Sequence, residues 1–160
     1  MLSFTSAQLS GLEKVLELKE SGLPLVAANL SLGSGRYTAD CGESDPRGPV
    51  IDDLLAEGVA AVIAAGNDGG LNGTAMAAPH VTGAFAALRQ KFPAKSVAEL
   101  LTLMKSTGRP ITNGSAVTPR LQPDAAALGS TPEPDPENPQ ELVAQVLTRR
   151  RRPPRSSWRC

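Results

Sequence analysis

The octapeptide GTAMAAPH, residues 73–80, resembles a turn that presents a reactive group at the start of a helix. Gly73 and Thr74 lead into the turn, small residues follow, and the stretch ends on His80, the only histidine of the chain. A nucleophile at the start of a helix gains from the backbone amide dipoles, which stabilise developing negative charge. Position 75 is an alanine, however, whose side chain has no heteroatom. The stretch therefore has the surroundings of a nucleophile without the nucleophile itself.

Two other stretches hold residue types that could support such chemistry, although neither is specific by itself. The sequence VAAVIAAGNDGG spans residues 59–70, and its GNDGG end is more often a simple turn. The sequence NLSLGSG spans residues 29–35, and Ser-Leu-Gly is an ordinary end for a strand. A lone histidine on a helix, such as His80, is usually structural. Each motif taken singly therefore predicts little about function.

Taken together and in this order, the three stretches resemble the subtilisin-like serine peptidase family. Family members carry Gly-Thr-Ser-Met-Ala-Ala/Thr-Pro-His-Val at the turn into the helix that presents the nucleophile. The stretch NGTAMAAPHVTGAFAAL, residues 72–88, matches that motif except that Ala75 replaces the serine. The stretch PRLQPDAAAL, residues 119–128, resembles the end of such catalytic domains. The resemblance thus covers roughly residues 7–128.

The resemblance implies a role for individual residues of this sequence. Ala75 occupies the nucleophile position, and Asn67 corresponds to the side-chain donor of the oxyanion hole. The substrate-binding positions of the family correspond to Ser31, Leu32, Gly33, Ala64, Ala65 and Gly66. The first three would pair with an extended substrate, and the last three would line the pocket for the residue before the scissile bond. The family's motif histidine, here His80, is not its catalytic histidine.

The catalytic groups of the family are nevertheless missing from this sequence. A Ser-His-Asp mechanism needs a nucleophile, a base and a group that orients the base. In the family, the aspartate and histidine motifs precede the Ser-Leu-Gly stretch, and nothing in residues 1–28 matches either of them. We therefore expect a serine endopeptidase domain by ancestry, which hydrolyses peptide bonds through an acyl-enzyme, and an inactive chain as written.

A second departure concerns the spacing of the motifs. Asn67 and Ala75 are eight residues apart, whereas the family places several strands and loops between these positions. An extended chain of that length spans at most about 28 Å, so the two positions can still approach each other. The sequence therefore resembles an internally shortened C-terminal part of a subtilisin-like catalytic domain.

The elements that position these motifs follow from hydrophobic pattern and capping signals. Two apolar runs, 25–32 and 59–65, have the length of buried strands, and a helix at 49–57 lies between them. This βαβ unit predicts that 25–32 and 59–66 are neighbouring parallel strands with a right-handed crossover. Further helices are expected at 6–20, 77–91 and 97–106. The predicted fold class is α/β, a reduced subtilisin-like parallel sheet flanked by helices.

Three local signals set the expected helix ends. Thr5 with Gln8 and Ser96 with Glu99 fit the capping-box pattern at the start of the first and the last of these helices. Gly58 is a natural end for the helix at 49–57.

The composition changes near residue 130. Residues 1–129 are expected to form the shortened peptidase domain, and 130–160 a Pro/acid-rich linker and an Arg-rich tail without fixed structure. A short helix within 140–150 is conceivable. All sixteen acidic residues lie before position 149, so that the neutral chain has a basic end. One arginine run with a single tryptophan is weak evidence for nucleic-acid binding, and a peptide or protein substrate is the expected partner.

The cysteines, the histidine and the apolar runs limit the cofactors and the cellular compartment that the sequence allows. Cys41 and Cys160, the only cysteines, and one histidine cannot form a metal cluster, so no cofactor is expected. The family often binds calcium, but no calcium site can be mapped onto this sequence. No apolar run is long enough to span a bilayer, and no signal peptide is recognisable, although the family resemblance implies secretion.

Two alternatives to an inactive peptidase fragment remain open at this point. The chain could be a pseudoprotease that binds extended peptides along residues 31–33. It could also be a truncated gene product or an engineered Ser→Ala variant without an evolved function of its own. The absent part of the sheet would further leave strand edges exposed, which favours self-association.

Overall fold

The computed structural model describes residues 3–33, 45–66, 74–113, 116–129 and 145–146. Within these segments the chain forms five helices and five strands. The helices are α1 (Thr5–Glu20), α2 (Gly48–Ala56), α3 (Thr74–Lys91), α4 (Val97–Ser106) and α5 (Pro123–Leu128). The strands are β1 (Ala27–Leu30), β2 (Ala60–Ile63), β3 (Arg109–Asn113), β4 (Ala116–Arg120) and β5 (Gln145–Val146). The predicted α/β class is thereby confirmed.

The central sheet is built on the predicted βαβ unit. β1 and β2 pair in parallel, with Ala27 opposite Ala60 and Leu30 opposite Ile63. α2 connects them, with Pro49 in its first turn and Gly58 in the left-handed conformation just beyond its end. The prediction that 25–32 and 59–66 hold neighbouring parallel strands is confirmed, although the strands themselves are shorter.

Each face of the sheet is covered by its own hydrophobic cluster. Ala60, Val62 and Ala64 pack on one face against α3, α4 and α5, where Phe85 and Leu88 are fully buried. On the other face, Ala61 and Leu30 pack against α1 and α2. A strand that is buried on both sides needs a continuous apolar run rather than an alternating one, which is why 59–65 is wholly apolar.

The two predicted capping boxes have different outcomes. The box at Ser96 and Glu99 is present, with both reciprocal hydrogen bonds, and α4 begins at Val97 as expected. The box at Thr5 and Gln8 is wrong, because α1 begins at Thr5 after Phe4, and Phe4 makes no side-chain cap. Gln8 is instead engaged in a tertiary contact, since its Oε1 accepts a 2.7 Å hydrogen bond from Nη1 of Arg47.

Three features were not expected from the sequence. α3 begins at Thr74, three residues earlier than predicted, so that Pro79 lies in its interior and not at the early position expected of it. β3 and β4 form an antiparallel hairpin in which Arg109 lies opposite Arg120. The short helix α5 follows it.

β5 corrects the expectation for residues 140–150. Gln145 and Val146 form a strand rather than a helix, and they pair antiparallel with Ile63 and Val62 of β2. The physical reason is that an unpaired sheet edge offers hydrogen bonds that an isolated short helix cannot match. The other residues of 130–160 lie outside the described part of the chain, so the expected lack of structure there stays a prediction.

Candidate functional site

The start of α3 lies against the carboxyl ends of both parallel strands. Ser31, the residue after β1, donates a 2.7 Å hydrogen bond from its Oγ to the carbonyl oxygen of Ala75. Thr74, which is almost fully buried, donates a 2.9 Å hydrogen bond from its Oγ1 to the carbonyl oxygen of Gly66. The two hydroxyls thus tie the first turn of α3 to the loops that follow β1 and β2. Ala75, Ser31 and Gly66, which the sequence assigned to one site, do meet in space.

The hydrogen bond from Ser31 has a specific cause in Pro79. In a regular helix the carbonyl of Ala75 would accept the N–H of the residue four positions on. That residue is Pro79, which has no N–H to donate. The hydroxyl of Ser31 therefore supplies the donor that the helix cannot. Asn29 supports this arrangement, because its Nδ2 donates to the Ser31 Oγ at 3.0 Å.

Two glycines let the loops after β1 and β2 approach each other closely. A Cβ added at Gly33 would lie 3.0 Å from both the carbonyl oxygen of Ala64 and the backbone nitrogen of Gly66. Gly66 itself has a positive φ of 84°, which residues with side chains rarely adopt. Glycine at both positions therefore brings the predicted substrate-binding segments 31–33 and 64–66 into contact.

The surface around this junction is partly apolar. Leu32 is 43% exposed, and Met76, on the first turn of α3, is 65% exposed. Ala64 is buried beneath the sheet end, whereas Ala65 is exposed. Ala75 is half-buried, so that its methyl group lies partly at the surface.

His80 is not positioned to act on a group at position 75. Its ring is exposed, and its Nδ1 lies 2.8 Å from the carbonyl oxygen of Met76, one helical turn earlier. A carbonyl accepts only, so the Nδ1 carries the hydrogen and the Nε2 is the basic nitrogen. His80 is thus bonded back onto its own helix, as expected for a structural histidine.

The remaining predicted residue of the site, Asn67, lies outside the described residues, and so do Cys41 and Cys160. The oxyanion-hole role of Asn67 stays a prediction. Within the described segments, no three metal-ligating side chains converge. Over the same segments, the helices are too short or too polar to cross a membrane.

Sequence reasoning counted Pro79 among the matching residues of the motif but missed its role, and that of Asn29, in holding this site together. The signal for Pro79 was available, since a proline six residues into a helix that begins at Thr74 must leave one carbonyl without its usual partner. Which hydroxyl would bind that carbonyl could not be read from the sequence, because Ser31 is 44 positions away.

The fold and the site define an α/β protein in which a helix start meets the ends of two parallel strands. In a comparison with family models, the model of the subtilase family matches residues 69–127, from before α3 into α5. The match supports a subtilisin-like fragment, as the motifs predicted. β1 and β2 lie outside the matched residues. No curated protein and no solved structure matches the chain.

Proposed function

We propose that this chain is a catalytically inactive serine peptidase-type domain. The family reaction is hydrolysis of peptide bonds in peptide or protein substrates, through attack by a serine at the start of the helix that corresponds to α3. The observation that carries the proposal is Ala75, a methyl group at that position, half-buried beside the loops after β1 and β2.

The position of His80, the only histidine of the chain, is a second reason to expect an inactive domain. His80 is five positions beyond Ala75 on the same helix, which rotates its Cβ by about 140° and moves it by about 7.5 Å along the axis. Its Nδ1 is also bound to the carbonyl oxygen of Met76. A serine hydroxyl stays protonated at neutral pH and needs an adjacent base to become a useful nucleophile.

Restoring the serine tests this proposal directly. We expect the Ala75→Ser variant to show no hydrolysis of peptide esters or anilides above the wild-type background, and no labelling by a fluorophosphonate. Ala87→Ser, which adds a serine at an exposed position of α3, is the matched control for nonspecific labelling. Stoichiometric labelling at position 75, absent from the control, would show that a base is present and would overturn the proposal.

The second candidate function is the binding of extended peptides without cleavage. It is favoured by the exposed Leu32 and Met76, two large apolar side chains that directly follow Ser31 and Ala75, the partners of the hydrogen bond between the two loops. Calorimetric titration with blocked hexapeptides of small and apolar residues tests it. Binding should weaken in Leu32→Asp but not in Leu128→Asp, which changes a more exposed leucine on α5, away from the site.

Secretion belongs to the proposal on the family resemblance alone. Fractionation of the producing cells, with detection of the chain in the medium or in the cell pellet, tests it.

A further inference from the structure

The outer edge of β2 is the strand edge on which β5 lies. The N–H groups of Ala60 and Ala64 donate to β1, at 2.9 Å to the carbonyls of Val26 and Leu30 respectively. Because backbone groups alternate along a strand, the N–H and C=O of Ile63 point to the opposite side. Ile63 lies opposite Gln145 in the antiparallel register, so these two residues form the hydrogen-bonded pair.

The edge that β5 covers has no protection of its own. β2 has the sequence AAVI, without a charge or a proline, and Ala60, Ala61 and Val62 are buried. Natural proteins protect exposed edges with charged residues, prolines or covering segments, because a bare apolar edge adds strands from other chains. β2 itself contains neither a charged residue nor a proline, so only a covering segment protects its edge.

The opposite edge of the sheet is protected in a different way. The Nζ of Lys19, at the end of α1, donates a 3.1 Å hydrogen bond to the carbonyl oxygen of Leu25, just before β1. The carbonyl of the next residue, Val26, accepts a hydrogen bond from the N–H of Ala60. Because carbonyl directions alternate along an extended chain, the carbonyl of Leu25 points away from β2. A lysine at this place hinders the approach of another strand. The charge of Lys19 thus protects the edge of β1, and β5 covers the edge of β2.

We propose that β5 is an intrachain cap on the β2 edge, and that releasing it allows β2 to pair with a second copy of the chain. A segment of the same chain competes with a second copy as an intramolecular partner, and the effective concentration of such a partner reaches roughly the millimolar range. It therefore excludes a second copy at micromolar protein concentrations. Because β2 is uncharged, nothing on the strand repels a second copy once β5 has left.

The register supplies a matched pair of variants in the full chain. Gln145→Pro removes the N–H that donates to the carbonyl of Ile63 and therefore weakens the cap. Val146→Pro is the control, because Val146 lies opposite Val62 in a pair whose N–H groups do not join the two strands. Both variants place a proline in β5, so a difference between them reports the hydrogen bond.

Amide hydrogen exchange and sedimentation velocity give the two readouts. In Gln145→Pro at low concentration we expect exchange at Ile63 to rise at least about tenfold, while exchange at Val62, which donates to β1, stays unchanged. At higher concentration a dimer should appear for Gln145→Pro and not for Val146→Pro or the wild type. Equal exchange at Ile63 in all three proteins would overturn the proposal. Faster exchange without a dimer would overturn it too, because β5 would then not control association.

Discussion

At the scale of single residues, the carbonyl oxygen of Ala75 joins the start of α3 to the loop after β1. Ala75 has no reactive side chain, yet its backbone is fixed by the hydroxyl of Ser31 at 2.7 Å. Pro79 makes that fixation necessary, because it withholds the usual helical donor. The site has therefore kept a structural role for Ser31 that does not depend on catalysis.

A double-mutant cycle tests this link. We expect Ser31→Ala to lower the free energy of unfolding by about 1–2 kcal/mol, since it leaves a partly buried carbonyl unpaired. In a Pro79→Ala background the same change should cost less, because the N–H at position 79 can then bind Ala75. Urea denaturation of the four proteins gives the coupling energy. Equal costs of Ser31→Ala in both backgrounds would contradict the explanation.

Gly108 lies where the end of α4 meets the hairpin. A Cβ at Gly108 would lie 2.7 Å from the Cβ of Pro119 and 3.0 Å from the carbonyl oxygen of Met104. We expect Gly108→Ala to lower the free energy of unfolding by about 1–3 kcal/mol through overpacking. Thermal and urea denaturation measure it.

Gly83 provides the control for that substitution. It is exposed in the interior of α3, and a Cβ there would meet nothing within 4 Å. Gly83→Ala should therefore raise the free energy of unfolding by up to about 1 kcal/mol, through helix propensity alone. Destabilisation of similar size in both variants would refute the packing argument.

At the scale of elements, Arg47 joins the start of α2 to α1. Its guanidinium donates to both carboxylate oxygens of Asp45, at 2.9 and 2.6 Å, and to the Oε1 of Gln8 at 2.7 Å. The side-chain hydrogen bond from Arg47 lowers the pKa of Asp45, and burial of the carboxyl opposes it. The side chain of Asp45 is only 14% exposed, so solvent screens the pair less than it would at the open surface.

The lowered pKa makes this link sensitive to acid. A carboxyl whose folded pKa is depressed adds stability that is fully present above its unfolded pKa of about 4 and is lost as the pH falls through the folded pKa. We expect Asp45→Asn to reduce stability at pH 7 and to flatten the fall in stability below about pH 4. Denaturation midpoints from pH 2 to 7 measure this.

The matched control is Asp53→Asn, which removes the same charge from an exposed position of α2. It should leave the acid dependence close to that of the wild type. An Asp45→Asn curve parallel to the wild-type curve below pH 4 would show that the link contributes no acid sensitivity.

At the scale of the whole molecule, the C-terminal part of the chain contains two contrasting segments, β5 and the arginine run that follows it. β5 pairs with β2, whereas Arg149, Arg150, Arg151 and Arg152 follow it in a stretch whose composition predicts no fixed structure. We expect limited trypsin digestion to cut first within that arginine run. Mass spectrometry should then show a product that retains β5 and sediments as a monomer.

Two results would contradict this expectation. Protection of the arginine run in the monomer would show that the tail is ordered. A dimer formed by the trimmed product would show that residues beyond β5 are needed to cover the β2 edge.

The sequence by itself indicated the resemblance to the subtilase family, the βαβ unit and the alanine at position 75. These depend on local patterns, namely the GTAMAAPH motif, two apolar runs of strand length and capping signals such as Ser96 with Glu99. Their outcome is decided within a few neighbouring residues, which is why they could be predicted. The sequence also limited the candidates for a histidine base to one, since His80 is the only histidine.

Only the tertiary structure decided which distant residues form hydrogen bonds with each other. Gln8 could satisfy either a helix cap or Arg47, and the contact with Arg47 prevailed because folding places α2 beside α1. Ser31 became the donor for Ala75, and β5 became a strand rather than a helix, for the same reason. An unpaired backbone group takes the partner that the fold brings near, and the identity of that partner is not encoded in the neighbouring sequence.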